Sequence, residues 1–343
     1  MVDRMKFDES DYDDFVKYLK NEKAKINSSL LMNGDSGARR YYEGVFKDFY
    51  VPYDSISEFK YEGKVSATDS SEFMRELYSG NIFTMVRAYT KASENVYVDF
   101  KSDIIKIDPE SIRNFTILLM ENSEHISLEK AIRKDDIKYA FVDGSFMGRI
   151  SHGNTKDVPP GYENFMSTYY RNLQSMLDAG FSSNTVFIFM AKSSRSVFLR
   201  DAMLDAINDQ TFAEKEKISG HTDHYIIKSL ARSRGYTKSL MKKESIGTLK
   251  IIVNTFDIMP DINDVPIHVD VISPEEMDLS HLISMLFWAY GGYRVHNIWL
   301  SEIDNIVKFR SREVENLYMK TFETETGVTF YETRGERRAR LRL

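Results

Sequence analysis

Two short apolar runs, residues 138–142 and 185–191, most constrain how this chain can fold. Each is strand-length, apolar on both faces and bounded by polar residues, as expected of strands buried inside a sheet. A helix-length segment, 161–179, lies between them after the Pro159-Pro160 break, and such a crossover implies parallel pairing. Upstream, 64–68, 82–89 and 96–100 read as three strands with short connections, with a turn at Gly80-Asn81 before the second, which favours an antiparallel meander. Asp108-Pro109-Glu110 starts a helix running to about Arg133, with Ile112, Phe115, Leu119 and Ile126 along one face. The order is therefore β-β-β-α-β-α-β, an α/β chain with a mixed sheet. Helices are expected over 11–50, where Tyr12, Phe15, Val16, Leu19 and then Tyr41, Tyr42, Val45, Phe46 recur at helical spacing. Beyond 195 the chain reads as mostly helical, including 274–290, 299–308 and 310–323. The exceptions are 249–256 and 266–272, a strand pair.

The two buried runs end on functional side chains, Asp143 and Lys192, and the first upstream strand ends on Asp69. Groups gathered outside strand ends are where open sheets place their chemistry. Asp143-Gly144-Ser145 taken alone is a turn in which Asp accepts local N–H groups. The acidic helix between the two Asp residues changes the balance. It offers Glu121, Glu124 and Glu129, of which Glu121 and Glu124 are near neighbours on one side. The chain has no Cys and seven His. Cys-ligated zinc, iron–sulfur clusters and thiol nucleophiles are thereby excluded. Clustered carboxylates with few His point to hard divalent cations, Mg²⁺ or Mn²⁺, and to phosphoryl chemistry. Lys192-Ser193-Ser194-Arg195 follows the last buried strand and can hold a phosphate beside such a site. His221 and His224 have a spacing that does not suit a metal by itself.

The 46 Lys and Arg against 52 Asp and Glu give a net charge of −6. That argues against coating nucleic acid by bulk charge but leaves room for a local basic channel. Residues 334–343 hold five Arg and one Glu, so this tail carries +4 and the rest of the chain −10. It is either a frayed terminus or a phosphate- or partner-contacting arm. No apolar run approaches the roughly 18 residues that span a membrane, and the charged first ten residues lack a secretory signal. The expectation is a cytoplasmic protein without a membrane segment.

An Asp on the first strand, a Glu on the helix after the third strand and an Asp ending the fourth resemble the ribonuclease-H-like metal nucleases. Over about residues 64–320 the chain more specifically resembles the NurA family of DNA end-resection nucleases. Thr68-Asp69-Ser70-Ser71 stands where that family has its first Asp-Gly-Ser, with Ser70 in place of Gly. Phe141-Val142-Asp143-Gly144-Ser145-Phe146 matches the second. Lys192-Ser193-Ser194-Arg195-Ser196, Asp223 to Leu230 with Gly235-Tyr236-Thr237, and Pro266-Ile267-His268-Val269-Asp270 follow in order. The last motif, a Gly-Tyr-Pro start and an Ala-His end, resembles Gly292-Tyr293-Arg294 through Asp304. Here the Pro is absent and the final His is replaced by Asp304, with His296 the competing candidate.

The resemblance implies a ribonuclease-H-like mixed sheet, three antiparallel strands then parallel ones, flanked by helices and extended at both ends. It implies an N-terminal helical arm (1–60), a nuclease domain with helical insertions (61–330) and the Arg-rich tail (331–343). It implies a metal-dependent 5′-to-3′ exonuclease on single- and double-stranded DNA and single-strand endonuclease, with two Mn²⁺ or Mg²⁺ ions. Their ligands would be Asp69, Glu124, Asp143 and Asp304, with Glu121 and His296 as fallbacks. Lys192, Arg195, Ser145 and Tyr293 would contact phosphate or DNA, Lys192 being counted among the catalytic groups. The family works as a homodimer with a HerA-type hexameric ATPase in double-strand-break end resection for homologous recombination. No Gly-Lys-Ser/Thr P-loop occurs in this chain, so ATP would be the partner's business. The altered first and last motifs also fit a catalytically inactive, ring-docking DNA-binding subunit, and a second alternative is another ribonuclease-H-like enzyme acting on RNA or hybrids.

Overall fold

The computed structural model describes residues 10–28, 37–54, 64–106, 109–154 and 158–332. The Arg-rich tail from 334 and the expected boundary near residue 60 lie outside the described residues. In chain order the elements begin with α1 (Ser10–Ser28), α2 (Gly37–Phe49), β1 (Tyr50–Pro52), β2 (Val65–Glu76), β3 (Ile82–Ala92), β4 (Asn95–Ile105) and α3 (Pro109–Ile132). Next come β5 (Tyr139–Asp143), α4 (Phe146–Ile150), α5 (Phe165–Ser182), β6 (Val186–Ala191), α6 (Phe198–Ile207), α7 (Gln210–Ser219) and α8 (Asp223–Leu230). Then follow β7 (Gly235–Thr237), β8 (Leu240–Ile246), β9 (Leu249–Met259), β10 (Ile267–Ser273), α9 (Ser280–Trp288) and α10 (Ile298–Val307), before a last helical stretch over 311–326. Among the described residues no helix is long and apolar enough to cross a membrane.

The chain forms two compact units. The first takes Met1–Asp54, Ser194–Lys238 and Asp257–Pro266. Here α2, α6 and α8 enclose a core of Tyr42, Phe46, Leu199, Met203, Ile226 and Leu230. β1 pairs antiparallel with β7, which pairs in turn with the last residues of β9.

The second unit, Ser55–Ser193, Ser239–Phe256 and Ile267–Leu343, holds the mixed sheet. Its strands run in the order β8-β9-β10-β6-β5-β2-β3-β4. β2, β3 and β4 form the expected antiparallel meander. β2-β5 and β5-β6 are parallel, while β10 runs antiparallel to β6. The parallel strands are buried because helices cover them: Ala140, Val142, Phe187 and Phe189 pack with Leu173, Met176 and Leu177 of α5. On α3, Phe115, Leu118 and Leu119 pack with Val86 of β3. The opposite face of β3 meets the C-terminal segment, where Phe83 and Met85 join Val314 and Phe330.

Several expected boundaries move; β4, expected over 96–100, runs to Ile105. β2 does not end at Asp69 but continues to Glu76, because β3 pairs with it from Ser66↔Ala92 to Glu76↔Ile82. The Ser70-Ser71 pair that looks like a turn is held in extended form by that long hairpin. β8, which the sequence left as part of a helical region, pairs antiparallel with β9 through the Gly247 turn. Gly247 takes a φ of +58°, a left-handed value that favours Gly.

Candidate active site

β5 stops where β2 carries on, and that mismatch makes the site. Thr68 pairs with Val142 in the parallel register, so the next residues, Asp69 and Asp143, stand on neighbouring strands. Adjacent strands lie about 4.8 Å apart, close enough for two carboxylates to repel strongly. After Asp143 the chain must turn sharply. Gly144 does this with a φ of +95°, a conformation L side chains rarely adopt. Ser145 then caps α4 by accepting the Gly148 N–H at 3.2 Å. The Ser145 hydroxyl also donates to Asp270 on β10 at 2.8 Å. Asp270, fully buried, accepts from the Met147 N–H at 3.2 Å and the Thr255 hydroxyl at 2.8 Å as well. The loop carrying Asp143 is thus pinned from the neighbouring strand. Ser145 serves as that pin.

Glu124 reaches the cluster from α3. One of its oxygens accepts from the Ser70 hydroxyl and the other from the Arg149 guanidinium. Arg149, on α4, is buried; it donates to the Asp143 carbonyl at 2.8 Å and lies 3.1 Å from Nε2 of His125. Asp304 enters from α10, which packs on β2, β3 and β5, and is paired with Lys308. The four carboxylates feel one another. Burial, then the charges of Asp143 and Glu124, push the Asp69 carboxyl up to about 8, and Asp304 adds to the rise. Burial also raises Asp143, with Asp304 adding, against the opposing charges of Lys192 and Arg149. Burial raises Glu124 despite its Arg149 and Ser70 partners.

The structure therefore brings together Asp69, Glu124, Asp143 and Asp304, with Lys192 just past β6 acting on Asp143. Glu121 is placed differently. It accepts from the Tyr169 hydroxyl at 2.5 Å and lies 3.2 Å from His152. Burial works against its charge, yet the His152 hydrogen bond and the Arg149 charge hold it below the usual carboxylate range. His296 is buried in the loop that leads into α10, and Tyr293 in the same loop is largely exposed. Arg195 is exposed and belongs to the first unit. His221 pairs with Glu216 and His224 with Asp257, both within that unit. Sequence reasoning missed Arg149 altogether, and passed over Asp270 as a site residue. The available signals were an Arg six residues past Asp143 and an Asp in an otherwise apolar strand.

The donor set suits a hard divalent cation in its chemistry: oxygen ligands held close in a buried setting. A carboxyl held near 8 marks a cluster short of positive charge, which a bound dication would supply. Among the described residues no group of three or more His, Asp or Glu side chains stands in an arrangement that could hold a metal ion. Glu124 has both oxygens in hydrogen bonds, while one oxygen of Asp69 accepts from the Ser70 N–H and one of Asp304 is paired with Lys308.

A family model described as the NurA domain matches residues 63–309. No curated protein matches the chain. The NurA nuclease from Sulfolobus solfataricus shares the fold with a TM-score of 0.61 at 17% identity, covering 93% of this chain and 97% of that one. A NurA structure bound to dAMP and manganese matches with a TM-score of 0.55 at 12% identity, over 96% of this chain and 99% of that one. Another NurA structure with manganese gives 0.53 at 12%, over 89% and 97%.

Proposed function

The chain belongs to the NurA family, and from that premise we propose that it is a Mn²⁺- or Mg²⁺-dependent deoxyribonuclease. The observation that carries the proposal is the carboxylate cluster at the β2–β5 mismatch, with Asp69 pushed up to about 8. The NurA structure bound to dAMP and manganese supports the nucleotide and the cation as classes. Asp69, Asp143 and Asp304 would hold the metal, and Glu124 would stand behind them, fixed by Arg149 and Ser70. A bound divalent ion, or a pair of them, supplies activation of water and stabilisation of the leaving oxygen. The chain's own groups do the positioning. Lys192, already acting on Asp143, offers its ammonium to the scissile phosphate. The Ser145–Asp270 pin keeps Asp143 aimed along the strand end. Water attacks phosphorus in line, the bond to the 3′ oxygen breaks, and the product keeps a 5′-phosphate.

The finer assignment rests on the ordered motifs. It is 5′-to-3′ exonuclease action on single- and double-stranded DNA, with single-strand endonuclease action. It includes a homodimer working with a HerA-type hexameric ATPase in double-strand-break end resection. The test is cleavage of end-labelled linear single- and double-stranded DNA in Mn²⁺, Mg²⁺ or EDTA, by the wild type and Asp143→Ala, with and without a HerA-type ATPase. Metal-dependent cleavage that Asp143→Ala abolishes is expected. DNA binding without cleavage under every condition would overturn it in favour of an inactive DNA-binding subunit. Cleavage confined to RNA or hybrids would move the substrate class.

A further inference from the structure

β4 is the last strand of its sheet, and among the described residues no strand pairs with its outer edge. Val96, Val98, Phe100 and Ile104 alternate along it on one face and are 44%, 45%, 44% and 46% exposed. A long edge strand with a row of exposed apolar side chains is a template for another strand. The Phe100 ring is oriented by stacking on Tyr318, centroids 5.9 Å apart. The Val98 carbonyl accepts from Lys130 Nζ at 2.8 Å, which places the backbone groups of Val98 on the side away from β3. By antiparallel alternation those of Val96, Phe100, Ser102 and Ile104 point outward too.

We propose that a second copy of the chain pairs antiparallel with this edge, about a two-fold axis at Phe100. The strand is self-complementary over its whole length in that register. With Phe100 opposite Phe100, Asp99 of each copy faces Lys101 of the other, and Val96 faces Ile104, over the whole of Asn95–Ile105. Moving the axis one residue either way sets Asp99 against Asp99, or Lys101 against Lys101, and like charges directly opposite are destabilising. The Val98 carbonyl exchanges the flexible Lys130 ammonium for the Ser102 amide of the second copy. The inference rests on the homodimer reading above and names its surface.

The pairing has a consequence for the active site. Asp69 pairs with Tyr89, and Tyr89 with Val98, so the apolar row lies on the same sheet face as Asp69. Joining two β4 edges gives a continuous β2-β3-β4-β4-β3-β2 run. Its five gaps of about 4.8 Å place the two Asp69 strands roughly 24 Å apart, facing the same side. Two cleavage centres then look onto one surface, as opposite strands of a duplex would require.

Because the chain lacks Cys, one introduced Cys is its sole thiol. Directly opposed residues in a hydrogen-bonded antiparallel pair have Cα atoms about 5.5 Å apart, within disulfide reach. The experiment is mild oxidation of Phe100→Cys and of Ile104→Cys, with sedimentation velocity on the unmodified chain and on Lys101→Glu, and on Lys101→Glu combined with Asp99→Lys. The expected result is a dimer that Phe100→Cys locks covalently and Ile104→Cys does not. Lys101→Glu is expected to weaken association at least tenfold, and the charge swap to restore it. A dimer that Phe100→Cys fails to lock overturns this surface and leaves the homodimer reading standing. A monomer at every concentration, whether the edge is bare or covered by the chain's own tail, overturns both. Equal cross-linking at both positions reports collision and also overturns the register.

Discussion

Replacing Arg149 by Leu should damage the fold far more than its place on a five-residue helix suggests, and a second substitution should repair most of the damage. The Arg149 and Glu124 side chains are 2% and 6% exposed, so their ion pair is fully withdrawn from water. Arg149→Leu leaves the Glu124 carboxylate buried with only the Ser70 hydroxyl to stabilise it. Breaking one side of such a pair costs about 3–5 kcal/mol. The Asp143 carbonyl loses its 2.8 Å donor too, for about 1 kcal/mol more. Glu124 then escapes part of this cost by staying protonated at neutral pH, so the loss grows as pH rises. In the double variant Arg149→Leu with Glu124→Gln no charge is stranded, and most of the loss should return. Urea unfolding of the wild type, both single variants and the double variant at pH 6 and 8 gives the full cycle. A single-variant loss under about 1 kcal/mol, or strictly additive effects, would refute the claim that Arg149 and Glu124 act as one unit.

Asp69 makes stability fall as pH rises. Its carboxyl is protonated in the folded chain up to about 8 and ionised in the unfolded chain above about 4, so the unfolded state gains along that window. The slope is at most about 1.4 kcal/mol per pH unit, and Asp69→Asn should flatten it, read from urea midpoints between pH 5 and 8. The same proton must leave when a dication binds, so Mn²⁺ affinity by calorimetry should strengthen through pH 8 with proton release that depends on buffer. Lys192→Met should leave the fold intact and lower kcat by about 10²-fold in gel-based turnover, with Mn²⁺ binding little changed. Gly180→Ala should destabilise by about 1–3 kcal/mol in urea, since its Cβ would fall 2.2 Å from Cζ of the buried Phe187.

The order of elements along the chain was legible because each of them announces itself locally. The buried runs at 139–143 and 186–191 are continuous, α3 starts with Pro, and short connections force the meander. What escaped depends on partners distant in sequence. The full length of β2 is imposed by its pairing with β3 and cannot be seen in Ser70-Ser71. β8 carries Lys242-Lys243-Glu244, charges that read as a solvated helix until β9 pairs with them. Choosing Glu124 over Glu121 was beyond periodicity, because α3 is buried on more than one side and both acids lie within it. Tyr169 of α5 draws Glu121 away, while Ser70 and Arg149 hold Glu124 in the cluster. Arg149 itself is a lone Arg whose burial makes sense only once Glu124, 25 residues earlier, stands beside it.

The central claim is that the acids at the β2–β5 mismatch form one cation-binding, phosphodiester-cleaving centre. The most direct measurement pairs Mn²⁺ binding, by electron paramagnetic resonance, with cleavage of end-labelled DNA, on the same preparations of wild type, Asp69→Asn, Asp143→Asn and Asp304→Asn. The account predicts that each substitution lowers Mn²⁺ occupancy and cleavage together while the far-ultraviolet circular dichroism stays unchanged. Full Mn²⁺ binding and undiminished cleavage by folded Asp143→Asn would contradict it.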